Sequence, residues 1–187
     1  LLEDFREKLS KGGTGLVYFA GHGIQYDGTN YLIPVEAPVR READLKAYGV
    51  PAQDILEEMA AAGNALDIVI LDACRDNPLP SRKRSAKRGL AIVATPNTVK
   101  GSAVIYAAGP GQAAEDGPPG GNGIFTAALL NALDEPGLTL SEVMQRVTTD
   151  VAGKTANRQR PWSLASLGGA FVFREKSEIV TTQPAAQ

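Results

Sequence analysis

The chain has 187 residues, of which 43% are apolar and 21% charged, and its formal net charge is −2; this fits one globular domain with a sizeable core and gives no global electrostatic drive toward nucleic acid or anionic membrane. One cysteine excludes an intramolecular disulfide, and one histidine excludes a multi-histidine metal site. No apolar run approaches the ~18 residues of a membrane helix and no signal peptide opens the sequence, so a soluble chain is expected, cytoplasmic in preference, with any export signal upstream of it.

Residues 1 to 10 place Leu2, Phe5 and Leu9 on one helical face, and Gly12-Gly13 ends that helix before the apolar run Leu16 to Phe19. The run reads as a strand entering Gly21-His22-Gly23, where two glycines are expected to leave the histidine on a sharply turned, accessible backbone. After the Asp27-Gly28 loop comes a short extended piece, Tyr31 to Val35, and then a helix over Gln53 to Ala62 stopped by Gly63-Asn64. Ile68-Val69-Ile70-Leu71 has the continuous β-branched character of a strand buried on both faces in a parallel sheet, and it delivers Asp72-Ala73-Cys74 to its carboxyl end.

A polar loop rich in Pro and Arg leads to a third core strand, Ala103 to Tyr106, followed by the Gly- and Pro-rich loop Gly109 to Gly123. Helices over Ile124 to Leu133 and Leu140 to Ala152 come next, and Phe171-Val172-Phe173 is expected to close the fold as the last strand. The tail from Glu175 to Gln187 reads as linker, which leaves residues 1 to 174 as the domain. Strands alternating with helices predict an α/β domain with a largely parallel sheet, in which ligands bind outside the carboxyl ends of the strands.

His22, Cys74 and the 109 to 123 loop all fall at such ends. Taken singly, a cysteine after an apolar strand is a small buried hydrophobe and a lone histidine a structural residue. Together they make a chemical pair, because a thiol needs a base within hydrogen-bond reach to become thiolate near neutral pH, and imidazole has the right pKa.

Tyr18-Phe19-Ala20-Gly21-His22-Gly23 and Asp72-Ala73-Cys74-Arg75-Asp76 resemble the histidine and cysteine motifs of the caspase and metacaspase clan. Their separation of about 50 residues belongs to that family signature and is no independent derivation. Ala107 to Gly111 followed by Phe125, and Pro161-Trp162 through Phe173, are similar to later segments of caspase-like domains. The resemblance implies a caspase-like α/β fold and a cysteine endopeptidase of orthocaspase or metacaspase type; no cofactor or metal is expected. It implies His22 as general base, Cys74 as nucleophile and the backbone N–H groups of Gly23 and Cys74 as the oxyanion hole.

Charge refines the expected specificity. Caspases that cut after aspartate carry a glutamine two residues before the cysteine and an arginine after the next core strand; here Asp72 takes the first place, and Glu115 and Asp116 stand at or beside the second. A carboxylate in the subsite for the residue before the scissile bond pairs with Arg or Lys and leaves Asp uncompensated. The expected partner is therefore a peptide or protein cut after a basic residue. The bland readings are an Asp72 that caps the next turn and solvated loop charges at Glu115 and Asp116.

The family's sheet begins with an earlier β-α-β segment that holds part of the substrate pocket, and that segment is expected to be missing from this chain. Calcium-dependent metacaspases carry clustered acidic residues after the histidine motif, whereas Gly49-Val50-Pro51-Ala52 stands here, which argues against calcium dependence. Gly153-Lys154-Thr155 is no P-loop, since the first glycine of that motif would fall on Thr148 and a helix precedes it. Five basic residues, Arg82, Lys83, Arg84, Lys87 and Arg88, crowd into the loop after the cysteine strand. They read as a solvated face, as a weak polyanion patch or, where caspases carry the linker that they cut on activation, as a site of self-cleavage. Two other functions compete with the peptidase: a catalytically silent caspase-like interaction module, and a small-molecule hydrolase or transferase with a closed pocket.

Overall fold

The computed structural model describes residues 2–74 and 101–176. Helix α1 (Leu2–Leu9) lies over one face of the sheet, and Gly12 and Gly13, at φ 97° and 95°, turn the chain into strand β1 (Thr14–Tyr26). Such positive φ values are open to glycine at no steric cost. β1 and β2 (Thr29–Leu32) form a hairpin whose two turn residues, Asp27 and Gly28, have φ 50° and 81°. A two-residue turn with positive φ matches the twist of the flanking strands.

Helix α2 (Glu42–Tyr48) and strand β3 (Val50–Pro51) follow, then helix α3 (Ala52–Ala62) and strand β4 (Leu66–Cys74). Past the next loop lie β5 (Ser102–Tyr106), α4 (Ile124–Leu133), α5 (Leu140–Lys154) and β6 (Trp162–Ser166). The sheet order is β3-β2-β1-β4-β5-β6. The central strands β1, β4 and β5 run parallel; at one side β2 is antiparallel to β1 and β3 antiparallel to β2, and at the other β6 is antiparallel to β5. This is the expected α/β architecture.

Both faces of β4 are buried, as its unbroken apolar run predicts. Ile68 and Ile70, with Ala103 and Ile105 of β5, pack against Phe125 and Leu129 of α4 and Val143 and Val147 of α5. Val69 and Leu71, with Val104 and Tyr106, pack against Ile55, Leu56 and Met59 of α3 and Leu9 of α1. Fully burying such a side chain is worth about 1.5–3 kcal/mol, so the paired strands are firmly held. Among the described residues no helix is long and apolar enough to cross a membrane.

Three expectations change. The histidine motif is not a sharp turn: β1 runs straight through it, pairing in parallel with β4 over residues 14–22 and antiparallel with β2 over residues 23–26. The glycines there sit inside a strand that changes partners. Phe171 to Phe173 is not a sheet strand either, because β6 already occupies the outer edge of β5. Instead Leu140 N–H and Gly137 N–H donate to the carbonyls of Phe171 and Arg174, a single bridge joins Thr139 to Val172, and the Phe171 and Phe173 rings meet edge-on at 4.9 Å. The third change is α2, absent from the sequence reading, which seals Leu45 completely against Ile24 and Tyr31 of the hairpin.

Candidate functional site

At the carboxyl end of the parallel strands the register makes Ala20 the Cα partner of Asp72, and His22 that of Cys74. Side chains of registered neighbours share a sheet face, and alternate residues of one strand share it too. Tyr18, Ala20 and His22 therefore stand on one face with Asp72 and the Cys74 position, the face that α4 and α5 cover farther along. The two residues expected to form the dyad are the last pair of the β1–β4 register: Cys74 ends β4, and His22 stands where β1 passes from β4 to β2.

A cleft of ≈ 660 Å³ opens at this edge. Its floor comes from Tyr18, Ala20, Gly21 and His22 of β1 and from Asp72 of β4, one wall from the loop that carries Ala114 to Gly123, and the rest from Thr126 in the first turn of α4. His22 is exposed. All three carboxylates expected in the substrate subsite line this one cleft, together with His22.

Their environments differ. Glu115 accepts two hydrogen bonds from the Arg158 guanidinium, at 2.9 and 3.0 Å, a two-pronged pair that matches its charge. Among the described residues no cation pairs with Asp72 or Asp116. Burial pushes the Asp72 carboxyl above the ordinary carboxylate range; the hydrogen bond from Thr126 opposes this, and the negative charge of Asp116 adds to it. A partly desolvated carboxylate facing an open cleft, with a second acid beside it, is suited to receive a cation.

The wall loop is rich in glycine and proline, yet it is anchored. Gln159 is completely buried; its Nε2 donates to the Ala107 carbonyl at 2.8 Å while its Oε1 accepts the Glu115 N–H at 2.9 Å. Gln112 Oε1 accepts the N–H groups of Arg160 and Gly109. These amides tie the loop to the end of β5 and to the segment that follows α5, and so fix the height at which Glu115 and Asp116 stand over Asp72.

Sequence reasoning missed Tyr18, Thr126 and Gln159. Tyr18 carried a signal, since it lies four residues before His22 and strand alternation puts both on one face. Thr126 and Gln159 carried none. Arg82, Lys83, Arg84, Lys87 and Arg88 lie outside the described residues, as does the side chain of Cys74.

A family model described as the caspase domain of peptidase family C14 matches residues 1–172. Among curated proteins, human mucosa-associated lymphoid tissue lymphoma translocation protein 1 is 34% identical over 74 residues, covering 40% of this chain and 9% of that protein. Its mouse homologue is also 34% identical over 74 residues, covering 40% of this chain and 8% of the homologue. The chain thus spans a small part of these relatives' length. Caspase-1 from Spodoptera frugiperda superposes with a TM-score of 0.55 at 16% identity, over 93% of this chain and 73% of that one. Protein GSU0716 from Geobacter sulfurreducens gives 0.56 at 12% identity, over 94% and 75%. With the fold, the two motifs and the family match in agreement, the chain belongs to the caspase domain family, peptidase family C14.

Proposed function

We propose that this domain is a cysteine endopeptidase that cleaves peptide and protein substrates after arginine or lysine. One observation carries the reading: His22 and Cys74 are register partners at the carboxyl end of the parallel β1–β4 pairing, beside a cleft lined by Asp72 and Asp116. His22 takes the proton from Cys74 Sγ, and the thiolate attacks the substrate carbonyl carbon. The backbone N–H groups of Gly23 and Cys74 donate to the oxyanion that develops. The imidazolium then gives its proton to the departing amine, and water hydrolyses the thioester with His22 again acting as base.

Asp72, with Asp116 across the cleft, binds the basic side chain before the scissile bond. Glu115 shapes the wall, since Arg158 already matches its charge. The same preference makes Arg82, Lys83, Arg84, Lys87 and Arg88 candidate self-cleavage sites.

Cys74→Ala and His22→Ala are each expected to lower turnover by about three orders of magnitude or more, because nucleophile and base act as a unit. Intact mass before and after treatment with an arginine-directed electrophile should show one adduct, absent from Cys74→Ala. A wild-type protein that takes no adduct and cleaves no basic peptide would be the silent interaction module instead. Intact-mass comparison of wild type and Cys74→Ala after incubation tests self-cleavage, and equal nicking of both would discard it.

A further inference from the structure

The cleft holds a hydrogen-bond chain that the proposed chemistry leaves unused. Thr126 Oγ1 donates to Asp72 Oδ2 at 2.5 Å, and the Tyr18 hydroxyl lies 2.5 Å from the same Thr126 oxygen. A threonine hydroxyl has one proton. With that proton committed to the carboxylate, Tyr18 must be the donor to Thr126, so the chain runs from Tyr18 through Thr126 to Asp72. It joins three separate elements, β1, α4 and β4, at the floor of one cleft.

A carboxylate beside an open cleft rotates easily about its last torsion, which is broad and roughly two-fold. A donor fixed to one oxygen removes that freedom and leaves the other oxygen to accept from a ligand. We propose that Tyr18 and Thr126 are positioning residues for a basic substrate side chain: by holding Asp72 through Oδ2, they keep its second carboxylate oxygen aimed at the guanidinium or ammonium.

The proposal rests on the reading of the cleft as a subsite for basic residues. Neither residue touches the reacting atoms. Among the described residues the charged and titratable groups around Asp72 are Tyr18 and His22 from β1 and, from the wall loop, Asp116 and the Arg158-matched Glu115. A donor at a carboxylate favours its charged form. Thr126 also opposes burial through its backbone N–H, which a side-chain change leaves in place; removing the hydroxyl therefore loosens the Asp72 rotamer and shifts the balance toward burial, pushing its carboxyl upward.

Two peptides identical except for arginine or citrulline before the scissile bond isolate the effect, since citrulline keeps the shape of arginine and lacks its charge. Assayed on the full chain with active-site titration, Thr126→Val should lower the arginine-to-citrulline ratio of kcat/KM about tenfold, the scale of one hydrogen bond to a charged group. The loss should lie in KM, Tyr18→Phe should lose about threefold, and Thr126→Ser should restore the ratio. In Thr126→Val the acid limb of the arginine pH profile should move to higher pH, with no such move for citrulline. Equal losses on both peptides would overturn the positioning role in favour of a structural one. An unchanged ratio in Thr126→Val and Tyr18→Phe, with the ratio lost in Asp72→Asn, would overturn it while leaving the basic subsite intact. A ratio that survives Asp72→Asn, or a wild type indifferent to the charge, would remove the basic subsite and this proposal with it.

Discussion

β1 and β4 are neighbours paired residue for residue, yet they live in different surroundings. Ile68 and Ile70 of β4 are 0% and 2% exposed, while their partners Leu16 and Tyr18 on β1 are 43% and 41% exposed. α4 and α5 cover the β4 side of this face, and α4 meets β1 where Thr126 contacts Tyr18. Among the described residues no strand pairs with the outer edge of β1 over residues 14–21. One strand holds the sheet together, and the other presents side chains at an accessible margin. A cleft needs both: a carboxylate delivered by the rigid strand and a histidine delivered by the open one.

Substituting the paired residues breaks the comparison most directly. Ile70→Ala should cost about 2–5 kcal/mol, as truncation in a packed core does, whereas Leu16→Ala should cost less than about 1 kcal/mol. Denaturant unfolding of both variants measures the difference. If Leu16→Ala costs as much as Ile70→Ala, chain outside the described residues covers that face of β1.

Asp72 sharpens the contrast, since it belongs to the rigid strand but faces the open cleft. A carboxyl raised on folding contributes stability that is complete below its unfolded pKa and is lost as pH rises through the folded value. Burial raises Asp72. Asp72→Asn should therefore melt above wild type at neutral pH, the gap closing as pH falls below the ordinary carboxylate range, while cleavage after arginine drops by roughly 100-fold. A variant that melts lower at neutral pH would mean that the ionised group stabilises the free fold, against the desolvation argument.

The smallest effect is expected at Gly123, which caps α4. A Cβ there would stand 3.5 Å from Asp72 Oδ2, an ordinary contact. Gly123→Ala should fold normally and change kcat/KM for basic peptides by no more than about threefold. A larger loss would show that the cleft wall tolerates no added methyl against the carboxylate.

What the sequence disclosed follows the range of the interactions involved. The continuous run at Ile68 to Leu71 announced a two-sided strand because burial on both faces selects apolar residues at every position. The histidine and cysteine motifs were legible as local patterns, and so was the acidic character of the cleft. The Arg158 partner of Glu115 lies 43 residues away and the Tyr18 partner of Thr126 lies 108 away, and no local pattern encodes such meetings. Phe171 to Phe173 misled because aromatic and β-branched residues satisfy a strand pattern equally well when they pack beside a sheet. The change of partner within β1 was hidden because a strand looks the same whichever neighbour it pairs with.

Gln159 reads backbone atoms alone at the base of the wall loop: a carbonyl on Ala107 and an N–H on Glu115. Any non-proline residue at position 115 supplies the same N–H. The Gln159 anchor is therefore indifferent to the side chains at positions 115 and 116, so the charge of the cleft wall can be rewritten there while Gln159 and Gln112 still hold the loop, at the loss of the Arg158–Glu115 pair alone. If the proposed subsite holds, the side chains that choose a substrate and the contacts that hold the loop are separable, and the cleft can be retuned toward a different class of side chain while the β1–β4 pairing that carries His22 and Cys74 stays where it is.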